Sequence, residues 1–132
     1  MPLDPDVSGA RQWLDRAESS LALAKQPKPE NAYWDDLCYL AQQAAEKALK
    51  AVYHSLQKPH RFTHDIEELG KGLADLGLDL PNAIREAVVL TRYAVETRYP
   101  GVSESTTDAE YRDAVKLAEE VVQWARGHVR TE

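Results

Sequence analysis

Apolar residues recur at intervals of three and four along almost the whole chain, with polar residues between them, which is the pattern of amphipathic helices. Ala10, Trp13, Leu14, Ala17, Leu21 and Ala24 form one stripe and predict a first helix from about Val7 to Lys25. Asp6 or Ser8 stands where a cap can start it. The stretch QPKPEN (26–31) breaks it, because proline lacks a donor and clashes with the preceding turn. Leu37, Leu40, Ala41, Ala44, Ala45, Ala48, Leu49, Val52 and Leu56 predict a second helix from about Ala32 to Gln57. Its many alanines leave room for a neighbouring helix to come close. After KPHRFTH (58–64), Thr63 or Asp65 caps a short third helix with Ile66, Leu69, Leu73 and Leu76 turned inward. Gly70 and Gly72 weaken that helix by about 1 kcal/mol each relative to alanine.

GLDLPN is a turn, and Pro81 suits a first helical position. A fourth helix is predicted from there to about Arg98, with Ala83, Ala87, Leu90, Thr91 and Ala94 on one face. PGVSEST follows, and Thr107 with Glu110 has capping-box spacing. The last helix carries Tyr111, Ala114, Val115, Ala118, Val121, Val122 and Ala125 inward. No sustained period-two run predicts a strand. About five helices joined by short loops imply an all-α, up-and-down bundle.

The length of 132 residues suits one domain spanning the whole chain. An apolar content of 43% with 29% charged residues is that of a soluble protein, and no apolar run is long enough to span a bilayer. The start MPLDPDVSGA lacks a basic segment followed by an apolar one, so no secretory leader and a cytoplasmic location are expected. A single cysteine, Cys38, excludes an intrachain disulfide and a multi-cysteine zinc site. It reads as a buried small side chain rather than a nucleophile. The net charge of −6 repels nucleic acid at long range, so any phosphate binding must come from a local patch.

One such patch is on the second helix. Gln43, Lys47, Lys50, His54 and Lys58 share a narrow sector opposite the apolar stripe, and His60, Arg61 and His64 follow in the loop. From Lys47 to His64 no acidic residue occurs. Two readings fit: an anion site for nucleotide phosphates, RNA or an acidic partner, or a helix face whose lysines are simply solvated. The fourth helix raises a second question. Its apolar face runs on to Arg98, and a guanidinium there needs a carboxylate, a phosphate or carbonyl oxygens. The carbonyls of the helix end itself are the plainest partner, because Pro100 disfavours helix at Tyr99. Arg92 and Glu96, four apart, are expected to pair on the other face.

His60 and His64 are four apart but loop-borne, and no third clustered ligand accompanies them, so no metal and no cofactor is expected. Neither a Gly-rich phosphate loop nor a nucleophile elbow is present. Trp13, Trp34 and Trp124 read as core or interface residues. Tyr33, Trp34, Tyr39 and Tyr53 lie partly off the core face of the second helix, and such surplus apolar area predicts a symmetric partner.

YLAQQAAEKALKAVYH (39–54), THDIEEL (63–69) and YAVETRYPG (93–101), in that order and spacing, resemble the HEPN domain. The resemblance covers the chain from Ala10 to about Trp124. It implies a compact bundle of about five helices, usually a homodimer with a charged cleft at its interface. Many prokaryotic members accompany a small nucleotidyltransferase in a toxin–antitoxin pair, and in many the toxin is a metal-independent RNase. The signature of those RNases is an arginine followed four to six residues later by a histidine. Here Arg98 is followed by Tyr, Pro, Gly, Val, Ser and Glu, with no histidine before His128. The RNase reading therefore lacks its usual base, and catalysis is left unassigned.

The expected function is thus a nucleotide- or phosphate-binding and protein-interaction module. Arg98 and Tyr99 would stand on one side of its cleft, and Gln43, Lys47, Lys50 and His64 on the other. An arginine fork grips a phosphate or carboxylate at two points. The expected partners are a second copy, a nucleotidyltransferase, and a nucleotide or RNA; no membrane partner is expected. The alternatives are an RNase with an atypical base, its candidates being Arg98 and His64, and a structural dimer without ligand.

Overall fold

The structure is a computed structural model that describes residues 5–95 and 106–129. Its elements are α1 (Pro5–Ala24), α2 (Trp34–Ser55), α3 (Ile66–Asp75), α4 (Asn82–Glu86), α5 (Arg92–Val95) and α6 (Asp108–Arg126), with a 3-10 segment Ala87–Thr91 between α4 and α5. No strand occurs among the described residues, and the fold is the predicted all-α bundle.

The second helix is the central one. It packs against α1, α6, α3 and the 3-10 segment, so little of its circumference is left to solvent. Cys38, Ala41, Ala44, Ala45, Ala48, Leu49 and Val52 are all fully buried in the main core cluster. Four alanines in that row bring the neighbouring backbones close, as expected for small contact residues. From α6, Ala114, Ala118, Val121, Val122 and Ala125 meet it, and from α1 Ala17, Leu21 and Ala24.

The ends of the elements follow local chemistry. Asp65 caps α3, its Oδ1 accepting from Glu67 N at 2.9 Å, while Thr63 Oγ1 accepts from Asp65 N at 3.0 Å. The capping box of α6 forms as its spacing predicts: Thr107 Oγ1 accepts from Glu110 N at 3.1 Å and Glu110 Oε1 from Thr107 N at 2.9 Å. Both α2 and α3 stop in Schellman turns. Lys58 N donates to Tyr53 O at 3.0 Å around Gln57 (φ 58°), and Leu78 N donates to Leu73 O at 3.2 Å around Gly77 (φ 98°).

Several expectations need correction. The first helix begins at Pro5, so Asp6 and Ser8 lie inside it and not at its cap, and Leu56 and Leu76, each at the residue that closes its helix, are exposed and do not face the core. The fourth helix is not continuous. Ile84, Ala87, Leu90 and Tyr93 are buried at intervals of three, with Ala94 buried beside Tyr93 as expected, and a three-residue period suits the 3-10 geometry found over Ala87–Thr91. The β-branched Val88, Val89 and Thr91 favour leaving the α-helix there, and Thr91 Oγ1 accepts from Ile66 N at 3.0 Å instead of facing the core as part of an apolar stripe. Tyr53 is also no surface aromatic. It is buried, and its hydroxyl donates to Leu69 O at 2.6 Å, made possible by Gly72, where an added Cβ would collide with that hydroxyl. Trp34 is half-buried against Tyr111, with ring centroids 4.7 Å apart. Of the surplus aromatics, Tyr33 is the strongly exposed one.

Candidate functional site

The polar residues of α2 do not form one solvated face, because α1 covers much of it. Lys50 is only 5% exposed. Its Nζ donates to Glu46 Oε2 at 2.7 Å and lies 5.6 Å from the centre of the Trp13 ring. Glu46, 4% exposed, is the hub that the sequence pattern did not single out. Its Oε1 accepts from Gln42 Nε2 at 3.0 Å and lies 2.9 Å from His64 Nδ1. Gln43 Nε2 donates to Gln42 Oε1 at 2.8 Å and reaches Glu46 Oε1 at 3.4 Å. Gln42 also donates to the His64 carbonyl at 3.1 Å, so a side chain of α2 fixes the loop before α3.

Burial pushes the Glu46 carboxyl up, but hydrogen bonds from Lys50, His64 and Gln42 outweigh it and hold the group below its ordinary value. An ionised carboxylate only accepts, so His64 Nδ1 carries the proton in that contact, and in the neutral ring Nε2 is left as an acceptor. The His64 side chain is 59% exposed while its partner carboxylate is buried. This is an oriented imidazole, the arrangement general bases use.

Three of the expected site residues, Gln43, Lys50 and His64, therefore meet on one carboxylate. Lys47 goes elsewhere. Its Nζ donates to Ser20 Oγ of α1 at 3.3 Å and lines a groove between α1 and α2 together with Gln12, Trp13 and Arg16. The groove has a volume of about 370 Å³. Neither Arg16 nor Lys47 pairs with a carboxylate among the described residues. Sequence periodicity could not join Arg16 to Lys47, since they come from different helices. Arg98 and Tyr99, with the pairing of Arg92 to Glu96, lie outside the described residues.

Behind the groove is a ring cluster. Trp13 stacks on His54 with centroids 5.8 Å apart, and His60 meets Trp13 edge-on at 5.6 Å. Cys38 is fully buried, and burial pushes its thiol up to about 12 against a partly offsetting hydrogen bond with Tyr93, so it stays protonated. Among the described residues no group of three His, Cys, Asp or Glu could hold a metal ion. Nor is any helix among them long and apolar enough to cross a membrane.

A small all-α bundle whose central helix carries a buried polar hub beside a basic groove defines the class of protein. The chain belongs to the HEPN domain family, whose model matches residues 10–128. Two solved structures share the fold. TT1696 from Thermus thermophilus is 31% identical with a TM-score of 0.76, over 90% of this chain and 97% of that one. ST0689, described as an archaeal HEPN homologue, is 23% identical with a TM-score of 0.69, over 92% of this chain and 98% of that one. Comparison with curated proteins gives no match.

Proposed function

We propose that this HEPN domain is a phosphate-recognising interaction module, holding a nucleotide or RNA phosphate at the α1–α2 groove and docking on a partner protein. The observation that supports this reading best is the pair Arg16 and Lys47, two cations without carboxylate partners among the described residues, facing one groove in a chain of net charge −6. Local cations of this kind concentrate anions against an unfavourable overall field. Lys50 contributes indirectly: it neutralises Glu46, which would otherwise set a buried negative charge near the groove. Arg98 and Tyr99, which lie outside the described residues, are the further candidates for a phosphate-gripping fork and a stacking ring. Family likeness suggests the partners: a second copy of the chain, and a small nucleotidyltransferase in a toxin–antitoxin type of pair.

Calorimetric titration with ATP, GTP and a short RNA, at low and moderate salt, tests the reading. Saturable binding that weakens in Lys47→Gln and in Arg98→Ala supports it. No heat with any of the three, nor with a nucleoside monophosphate, from a folded protein, removes the ligand and leaves only the protein-partner role.

A second reading rests on the Glu46–His64 contact at 2.9 Å. An imidazole so oriented can take the 2′-hydroxyl proton in metal-independent RNA cleavage, the step for which the usual arginine–histidine spacing is absent. Cleavage in the presence of a chelator, lost in both His64→Ala and Glu46→Gln, is its expected signature. An RNase activity unchanged by His64→Ala would reject it.

A further inference from the structure

The geometry points to the α1–α2 groove as the seat of one nucleoside monophosphate unit, its base against Trp13 and its single terminal phosphate between Arg16 and Lys47. This rests on the phosphate-binding reading and narrows it to a ligand with one phosphate and one aromatic base.

Charge sets the phosphate count. A terminal phosphate monoester carries about −1.5 to −2 at neutral pH. Arg16 and Lys47 supply two positive charges, and the described residues lining the groove include no carboxylate. A diphosphate or triphosphate would bring further charge that the described lining does not balance. Arginine adds a planar fork that matches two phosphate oxygens, and the lysine adds a point charge. Lys47 is already held, since its Nζ donates to the buried Ser20 hydroxyl at 3.3 Å.

Trp13 sets the rest of the ligand. Its indole is half-buried and lines the groove, and three neighbours fix it. His54 stacks on it, His60 abuts it edge-on, and the Lys50 ammonium lies 5.6 Å from its centre. Lys50 in turn is anchored by Glu46. Gly9 makes room for this support: a Cβ there would come within 2.9 Å of His54 Nδ1. A ring held this way loses little freedom when a base packs on it, which favours binding. Gln12 stands at the groove as a donor and acceptor for base or ribose. The volume of about 370 Å³ falls in the range of small-molecule sites and suits one nucleotide rather than a length of polymer.

The same chemistry is offered by a free mononucleotide and by the phosphorylated end of an RNA. The test is calorimetry of the full-length protein with four probes: AMP, ribose 5-phosphate, a 5′-phosphorylated tetranucleotide and its unphosphorylated form. The expected result is saturable AMP binding, with ribose 5-phosphate weaker by about tenfold or more because it lacks the base. Arg16→Gln changes an exposed residue and is expected to abolish AMP binding, and Trp13→Leu to reduce AMP to the level of ribose 5-phosphate. Circular dichroism checks that both variants fold. Phosphorylated tetranucleotide tighter than AMP, with the unphosphorylated form silent, makes an RNA end the source. AMP tighter than both tetranucleotides makes it the free nucleotide. Ribose 5-phosphate equal to AMP overturns the base seat while leaving phosphate binding intact. AMP binding unmoved in Arg16→Gln and Trp13→Leu places the ligand elsewhere and also overturns the inference. Silence with all four probes, ATP, GTP and RNA overturns the phosphate reading itself.

Discussion

At the residue scale the molecule turns on one buried ion pair. Glu46 and Lys50 are four apart on α2, in the order that favours a helical pair, and both are almost wholly enclosed. Breaking such a pair leaves an uncompensated charge in the interior. Lys50→Met is therefore expected to cost about 3 kcal/mol near neutral pH. The pH dependence has a definite sign. The carboxyl titrates below its ordinary value of 4.5 in the folded protein, so its stabilising contribution is fully present above that value. It is lost as pH falls through the lower folded value. In Lys50→Met the protonated carboxyl no longer needs its cation, so the stability gap to the parent should narrow in acid. Urea melts near neutral pH and below about pH 4 check this. A gap of the same size at both would mean that the variant removes packing, not a charge pair. The spacing of four stands in the sequence, but it shows neither the pair nor its burial, and periodicity alone places Lys50 as a free cation on the polar face. Gln42 and Glu46 border the apolar stripe, and a wheel cannot tell that α1 and the loop at His64 close over them. The same limit hid Arg16 and Trp13 as neighbours of Lys47.

At the scale of elements, helix positions and the caps of α3 and α6 were readable because local chemistry sets them: Asp65, Thr107 with Glu110, and the prolines around residue 28; the start of α1 was not, since Asp6 and Ser8 lie within it. The break in the fourth helix was not, because its three-residue buried period shows only once α2, α3 and α6 define which side is inside. Two glycines on α3 give a test of opposite signs. A Cβ at Gly70 would make ordinary contact, 3.4 Å from Ile84 Cγ2, so Gly70→Ala should gain up to about 1 kcal/mol of helix propensity. At Gly72 the added Cβ would displace the Tyr53 hydroxyl from Leu69 O, and losing a buried hydrogen bond costs about 1–3 kcal/mol. Gly72→Ala should therefore destabilise despite the better propensity. Thermal melts of the two variants that shift in the same direction would refute the account. The left-handed Gln57 offers a third change. Glycine there removes the steric cost of φ 58° and should stabilise by about 0.5–1 kcal/mol in the same melts. A loss of stability in Gln57→Gly would show that the Gln57 side chain carries a contact outweighing the strain.

For the whole molecule, the question is how much of the function belongs to one chain. The proposed dimer loses part of its first argument, since Tyr53 is in the core and Trp34 is packed on Tyr111. What is left to cover are separate exposed apolar residues, among them Tyr33, Val89 and a fully exposed Phe62. Single exposed residues of this kind are common on monomers, so association through them should be modest and concentration-dependent. Light scattering is expected to give about twice the 14.8 kDa chain mass at high micromolar concentration and to fall toward it on dilution. Phe62→Ser with Val89→Ser should move that transition to higher concentration. Scattering at the single-chain mass throughout would withdraw the dimer. The groove, in contrast, takes Gln12, Trp13, Arg16 and Lys47 from the same chain. Anion affinity measured on either side of the dimer transition should therefore be the same. If affinity instead rose with dimer formation, a second copy would be completing the site, and Arg98 and Tyr99 would be the first residues to test as its contribution.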